Sequence, residues 1–278
     1  ETYGFFSTEW PGRKDAVARG KTLRADAQGA SLEISLADIP GFSLVRGDRR
    51  AVSGIVRAAS GGIEAELALS PGEKIHGFGD QTRDRIEHTG TSPEMWVSNV
   101  TSYIPIPFFM SSAGYGMLVN TTLRHWWDVG RTDAGKLRVH VPGETLDVYF
   151  FTGDSFKDIL GAYTSVTGRP CLPPKWSLGL WFICRMQADD FQVVSDARNF
   201  RDRGLPCDVI GLEPGWMDTD YDYSTEKKWH HERFPIPSYN TKHSILAALK
   251  RMGYKLELWL CNDYDLSYEA DRRAGRPA

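Results

Sequence analysis

The sequence has 278 residues, of which 41% are hydrophobic and 25% charged, a composition typical of a folded protein with one large or two medium domains. The formal net charge is -3 and the basic residues are dispersed, which argues against the basic surface that nucleic-acid binding requires. No apolar run approaches the ~20 residues of a membrane-spanning helix, so neither nucleic acid nor a membrane is an expected partner.

From about residue 20 to residue 152, short runs of alternating apolar and polar residues are separated by turn-forming residues. This pattern is typical of antiparallel strands joined by turns. It predicts a β-sandwich domain over residues 1–170. The runs that show the alternation best are 31–36, 62–69, 136–141 and 145–151.

After about residue 170 the pattern changes to apolar strands that alternate with helices. The run 177–183 is continuously apolar, which predicts a parallel strand buried on both faces. The remaining segments predict a helix, a strand, a second helix and a third strand, over 189–203, 208–212, 244–252 and 255–261. A doubly wound sheet and a (β/α)8 barrel share this opening, but the first connection lacks the GxGxxG turn of a nucleotide-binding sheet.

The second half is too short to form a complete barrel. A (β/α)8 barrel needs roughly 250 residues, and only about 100 follow the start of its first strand here. Three strands cannot close a barrel, and an open parallel edge is an aggregation hazard. We therefore expect residues 171–278 to be the incomplete start of a catalytic (β/α)8 barrel in a longer protein.

In both architectures, functional residues follow the C-terminal ends of the parallel strands. Glu213 is the strongest candidate, because it directly follows an apolar strand and precedes a Pro-Gly turn. Trp259 has either a packing role or a sugar-stacking role. The other candidate binding residues at these strand ends are Met186, Trp216, Asn262 and Asp263, although the last two could equally cap the following segment.

The loop after Trp216 is long and rich in acidic and aromatic residues, which is typical of functional or mobile loops. His230, His231 and the neighbouring acids suggest a metal site. However, adjacent histidines point in different directions, and the HExxH spacing is absent. We therefore predict no metal and no cofactor.

Several motifs resemble those of glycoside hydrolase family 31. Residues 167–181, TGRPCLPPKWSLGLW, are similar to the join between the sandwich and the barrel in that family. Further similar segments span nearly the whole chain: GFGD at 77–80, WVSN at 96–99, IPFFM at 106–110 and GYGMLVN at 114–120. The resemblance implies an N-terminal β-sandwich, a (β/α)8 barrel, and a retaining, exo-acting α-glycosidase with a carbohydrate substrate.

The resemblance also implies roles for individual residues. Asn99 matches a polar residue that a sandwich loop offers to the sugar, and Met186 matches the wall formed after the first strand. Glu213 and Trp259 match the carboxylate and the tryptophan that the second and third strands supply. Both catalytic carboxylates of the family come from later strands, so we expect no catalytic residue within this chain. A homo-oligomer is left open.

Two departures from the family pattern leave the sugar open. Asp is usual where Glu213 stands, and relatives such as α-xylosidases carry Asp where Asn99 stands. The substrate is therefore either a glucose- or xylose-type sugar, or one with an axial O4, galactose or N-acetylgalactosamine. Two other functions also remain: a non-catalytic carbohydrate-binding module, and another barrel enzyme that uses Glu213 or Asp263 itself.

Overall fold

The computed structural model describes residues 17–19, 21–27, 29–81, 85–97, 102–222, 224, 226–236, 244–260 and 274–275. The chain divides into two compact units, Glu1–Arg169 and Pro170–Ala278, called unit 1 and unit 2 below.

Unit 1 is built from antiparallel strands. In chain order these are β1 (Val17–Arg19), β2 (Thr22–Ala27), β3 (Ala30–Ser35), β4 (Gly41–Arg46), β5 (Arg49–Ala59), β6 (Gly62–Ala68), β7 (Ile75–Asp80), β8 (Glu94–Met95), β9 (Ile104–Ser111), β10 (Tyr115–Val119), β11 (His125–Val129), β12 (Lys136–Pro142) and β13 (Val148–Thr152). A nine-stranded sheet has the order β1-β2-β3-β4-β5-β6-β12-β11-β8, and a four-stranded sheet has the order β13-β10-β9-β7. The four alternating runs correspond to β3, β6, β12 and β13, which confirms the predicted antiparallel architecture.

The burial of the strands follows from which of their faces are covered. β12 of the larger sheet alternates, with Leu137, Val139 and Val141 buried and the residues between them half-buried. β10 lies inside the smaller sheet and is buried along its whole length. Met117 packs in the core that also contains buried residues of the larger sheet, while Leu118 packs in a second cluster on the opposite face.

A helix that the sequence analysis missed provides this second cluster. Helix α1 (Phe156–Thr167) buries Ile159 against the smaller sheet, and Tyr163 stacks on Phe108 with ring centroids 3.9 Å apart. Its start is fixed by a capping box, in which Ser155 and Asp158 satisfy each other's backbone N–H groups. The Ser-x-x-Asp spacing was the signal in the sequence that could have revealed this helix.

Unit 2 has the predicted order of strands and helices. These elements are β14 (Trp181–Cys184), α2 (Asp190–Asp202), β15 (Val209–Leu212), α3 (Ile245–Arg251) and β16 (Lys255–Leu258). The three strands form a parallel sheet in the order β14-β15-β16. Short 3₁₀ helices occupy Lys175–Leu178 and Pro214–Trp216. Among the described residues, no helix is long and apolar enough to cross a membrane.

The first parallel strand differs from its prediction. The strand is shorter than the apolar run 177–183 and is not buried on both faces, because Trp181 and Ile183 each keep 41% of their surface exposed. Phe182 packs on Phe200 of α2, and Cys184 is buried on the same side. The strand therefore has two apolar faces, of which one packs on helices and the other points away from them.

The capping box of α1 can be tested separately from the sheets. Ser155→Ala removes the side chain that accepts from the Asp158 N–H, which should cost about 1 kcal/mol of local stability. Amide hydrogen exchange across α1 should then accelerate about fivefold. Ser165→Ala is the control: this exposed serine bonds within the helix, at the Ala162 carbonyl, and its replacement should not speed exchange. Equal effects of the two variants would contradict the assigned cap.

Candidate active-site edge of the parallel sheet

The register of the parallel sheet brings three chain segments together at one edge. Cys184 pairs with Leu212, and Leu212 pairs with Leu258. The backbone N–H of Trp259 donates to the Leu212 carbonyl over 2.9 Å, so the ladder continues one residue beyond β16. Because of this register, the residues that follow the three strands leave the sheet side by side.

Glu213 leaves β15 at the start of a 3₁₀ turn. Its backbone is extended, with φ -63° and ψ 171°, and Pro214 then begins the turn. The Glu213 side chain is half-buried and makes no capping hydrogen bond to the turn that follows. Its carboxylate oxygens are therefore not used by the turn, and they can accept hydrogen bonds from a ligand.

Two aromatic side chains stand at the same edge. The ring of Tyr221 meets the ring of Trp259 edge to face, with centroids 5.4 Å apart and planes at 86°. Tyr221 is exposed, and its φ of 57° places it in the left-handed region, which is uncommon for a residue with a side chain. The sequence placed Tyr221 only in a long loop, whereas the fold brings it against a predicted sugar-stacking residue.

Trp216 supports the backbone of Trp259. Its side chain is buried, its indole N–H donates to the Trp259 carbonyl over 2.8 Å, and its ring packs against Trp229. Because this indole N–H is already bonded, Trp216 connects the segments after β15 and β16. Its direct contact with substrate stays a prediction.

Met186 is half-buried in the segment after β14, and its backbone carbonyl is tied to the Glu213 turn. Arg233 Nη1 donates to the Met186 carbonyl over 3.3 Å and to the Gly215 carbonyl over 2.8 Å. One guanidinium group thus joins the segments that follow β14 and β15. Met186 and Glu213 are brought to the same region, as their positions at the strand ends predict.

The long loop after Trp216 folds back on itself. The backbone N–H of His230 donates to the Trp216 carbonyl over 2.9 Å, and that of Asp218 donates to the Lys228 carbonyl over 2.9 Å. The His230 ring nitrogen Nδ1 accepts from the backbone of Arg233. Among the described residues, no group of three or more His, Cys, Asp or Glu side chains is placed to hold a metal ion.

Three predicted binding residues cannot be placed by the structure. Asn99 of unit 1, and Asn262 and Asp263 of unit 2, lie outside the described residues. Their roles stay predictions.

Glu257 is a candidate site residue that the sequence analysis overlooked. It pairs in register with Gly211, which pairs with Ile183, one level below the strand ends. A Cβ at Gly211 would lie 2.5 Å from a Glu257 carboxylate oxygen, so the glycine makes room for this carboxyl group. Burial, and secondly the charge of Glu213, raise the pKa of Glu257 above its usual value. The signal was the alternation of Lys255, Glu257 and Trp259 with three leucines.

Family models match both units. Residues 170–269 match the family 31 glycosyl hydrolase TIM-barrel domain. Residues 25–128 match the N-terminal galactose mutarotase-like domain of glycosyl hydrolase family 31. Each unit therefore resembles a domain of the same family, in the order in which the chain presents them.

Two curated relatives show how much of such a protein this chain represents. An α-xylosidase from Emericella nidulans is 31% identical over 214 residues, which is 74% of this chain and 26% of the relative. An α-xylosidase from Saccharolobus solfataricus is 26% identical over 253 residues, which is 86% of this chain and 32% of the relative. The chain spans about a quarter to a third of the length of these relatives.

Solved structures have the same fold. A family 31 dextranase from Flavobacterium johnsoniae, complexed with glucose, matches 90% of this chain and 31% of its own, with a TM-score of 0.75 and 24% identity. A family 31 α-xylosidase from a soil metagenome, complexed with xylose, matches 99% of this chain and 44% of its own, with a TM-score of 0.73 and 19% identity.

The fold defines the class of the protein: an N-terminal β-sandwich domain followed by the first strands of a (β/α)8 barrel, with candidate ligand-binding residues at the strand ends. The family models identify both domains. The chain belongs to glycoside hydrolase family 31.

The raised pKa of Glu257 predicts a pH-dependent effect on stability. The folded state binds the carboxyl proton of Glu257 more tightly than the unfolded chain does. Its contribution to stability is therefore complete below the unfolded pKa, about 4.3, and is lost as the pH rises through the folded pKa. Glu257→Gln removes the ionisation, and at pH 7 it should stabilise the whole protein by less than about 1 kcal/mol, because solvent screens a partly exposed group.

Thermal unfolding of wild type and variant at pH 7 and pH 4 measures this effect. The gain should be present at pH 7 and absent at pH 4. Glu232→Gln, at an exposed glutamate of the same unit, is the matched control and should change stability by no more than about 0.5 kcal/mol at either pH. A Glu257→Gln variant that is less stable at pH 7 would contradict the assignment.

Proposed function

We propose that the whole protein is a retaining, exo-acting α-glycoside hydrolase that acts on α-linked oligosaccharides or glycoconjugates. In this proposal, the chain supplies the β-sandwich and the part of the sugar-binding site that follows the first three barrel strands. Membership of glycoside hydrolase family 31 supports the hydrolase activity. Relatives named α-xylosidase and α-glucosidase support an α-linked substrate.

The observation that carries the proposal is the placement of Glu213 beside Trp259 at the ends of neighbouring strands. Sugar rings have apolar C–H faces that pack on aromatic rings, and hydroxyl groups that donate to carboxylates. Trp259 and Tyr221 offer the aromatic surface, while the Glu213 carboxylate offers acceptor oxygens that its own turn does not use. The pair therefore suits a monosaccharide unit at the end of a chain.

The proposed chemistry is a double displacement by two carboxyl groups about 5 to 5.5 Å apart, one acting as nucleophile and the other as acid and base. We assign neither group to this chain. Glu213 has a binding role, in which it orients the hydroxyl groups of the sugar while bonds at the anomeric carbon change. Glu257 lies one level below the strand ends, and burial raises its pKa above the usual value of a glutamate.

The sugar itself is the finer part of the proposal. The relatives named α-xylosidase favour a glucose- or xylose-type sugar. Glu213 supports the alternative, because glutamate carries its carboxylate one methylene further from the backbone than the aspartate usual in the family. A displaced acceptor changes which hydroxyl geometry fits, so an axial O4, as in galactose or N-acetylgalactosamine, is the second candidate.

Nitrophenyl α-glycosides of glucose, xylose, galactose and N-acetylgalactosamine distinguish these candidates when assayed with the whole protein. We expect cleavage of one configuration at O4 to dominate. Cleavage of the glucoside or xyloside means that Glu213 replaces aspartate without a change of sugar class. Cleavage of only the galactose-configured substrates means that the turn after β15 is adapted to an axial O4. Sugar binding without turnover on any substrate would instead indicate a carbohydrate-binding module.

The binding role of Glu213 predicts a particular variant phenotype. Glu213→Gln should lower kcat/KM by about 100-fold, because the orienting charge is lost. It should still form the covalent glycosyl-enzyme when a slow fluoro-sugar substrate is used, as detected by intact-protein mass spectrometry. Glu232→Gln serves again as the control and should leave both measurements unchanged. A complete loss of the covalent intermediate in Glu213→Gln would contradict the binding role, because that is the phenotype expected of a nucleophile variant.

A further inference from the structure

Arg233 connects two segments that carry predicted binding residues. Its Nη1 donates to the carbonyl of Gly215, in the turn that follows Glu213, and to the carbonyl of Met186, in the segment after β14. The side chain is only 26% exposed, and Asp220 approaches the same nitrogen at 3.9 Å. Hydrogen bonds from a charged donor to backbone carbonyls are among the stronger ones in proteins.

The backbone near Arg233 is also held. Its carbonyl accepts from the N–H of Asp190 at the start of α2, over 3.2 Å, and its N–H donates to His230 Nδ1 over 3.3 Å. The backbone of Arg233 and its guanidinium group are therefore both held by hydrogen bonds. An arginine held at both ends can fix the distance between the groups that it joins.

Gly215 shows how closely the three groups approach one another. A Cβ at this position would collide with both the Met186 carbonyl and Arg233 Nη1. The turn after Glu213 thus packs directly on the segment of Met186, with the guanidinium group beside the contact. Removal of the guanidinium would leave the carbonyls of half-buried Met186 and buried Gly215 without this donor.

We propose that Arg233 is a positioning residue, which sets the separation between Met186 and Glu213 on two sides of the sugar site. This inference rests on the proposed function, because it assigns Arg233 to the same site. Arg233 acts through the two backbone segments and not by contact with the reacting atoms. A displacement of about 1 Å in such a site can reduce the rate about 100-fold.

Unit 2 offers a matched control at its opposite end. Arg201 also bridges two backbone carbonyls, with Nε donating to Met252 over 2.9 Å and Nη1 donating to Cys207 over 3.0 Å. Cys207 precedes β15 and Met252 precedes β16, so this bridge lies at the N-terminal ends of the strands. Residues at that face of a barrel contribute to stability, whereas residues at the C-terminal face contribute to function.

The experiment compares Arg233→Met, Arg233→Lys and Arg201→Met in the whole protein, with the best substrate of the glycoside panel. Arg233→Met should lower kcat/KM by about 10- to 100-fold, with KM raised and kcat lowered. Arg233→Lys keeps a donor and a charge, and should recover part of the loss. Arg201→Met should leave kcat/KM within about twofold at a temperature at which all variants are folded.

Amide hydrogen exchange provides a readout that does not depend on activity. The N–H groups of Ala188 and Met217 bond within the two turns that Arg233 joins, to the carbonyls of Arg185 and Pro214. Arg233→Met should accelerate exchange at both amides, and Arg201→Met should accelerate it at neither.

The outcomes separate this inference from the proposed function. If wild type cleaves a glycoside and Arg233→Met has unchanged kinetics and unchanged exchange, the positioning role is wrong and the function stands. Equal kinetic losses in Arg233→Met and Arg201→Met would also overturn it, because general destabilisation would explain both. If wild type cleaves none of the glycosides, the proposed function fails, and the exchange data alone decide whether Arg233 fixes the two turns.

Discussion

The candidate site depends on the register of three parallel strands. Cys184, Leu212 and Leu258 pair with one another in register, so the three strands end at the same level of the sheet. A slip of one residue would turn Glu213 and Trp259 to the helix side and would bring leucines to the site. The leucines on the helix side, packed with α2 and α3, prevent that slip because it would expose them. Apolar packing behind the sheet thus determines which polar groups stand in front of it.

Alternation and strand order could be read from the sequence because they depend on local patterns. The runs that became β3, β6, β12 and β13 alternate with period two, and the βαβαβ order followed from apolar runs and helix stop signals. The two-sided burial predicted for the first parallel strand was wrong. A continuous apolar run does not reveal whether one of its faces, as at Trp181 and Ile183, lacks a packing partner.

The site was only partly predictable. The position of Glu213 could be predicted because it directly follows an apolar strand, and that of Trp259 because it stands in the last part of the third one. Arg233 could not, because its bonds to Met186 and Gly215 join segments that are distant in sequence, and no local pattern marks a guanidinium that reaches a backbone carbonyl. Glu257 was hidden among leucines, although its alternation with them placed it on the same face as Trp259. Contacts between residues that are distant in sequence can be identified only in the folded structure.

The close packing at Gly215 has an evolutionary consequence. Any larger residue there would collide with the backbone carbonyl of Met186 and with the Arg233 side chain, so positions 215 and 233 are mutationally coupled. A lineage that needs a bulkier residue in the turn must shorten the arginine and also shift the backbone at Met186, and each intermediate sequence would carry a disturbed site. The order in which substitutions are acquired is therefore restricted, and divergence toward new sugars should proceed more readily through the side chains of Glu213, Tyr221 and Trp259 than through the backbone that holds them.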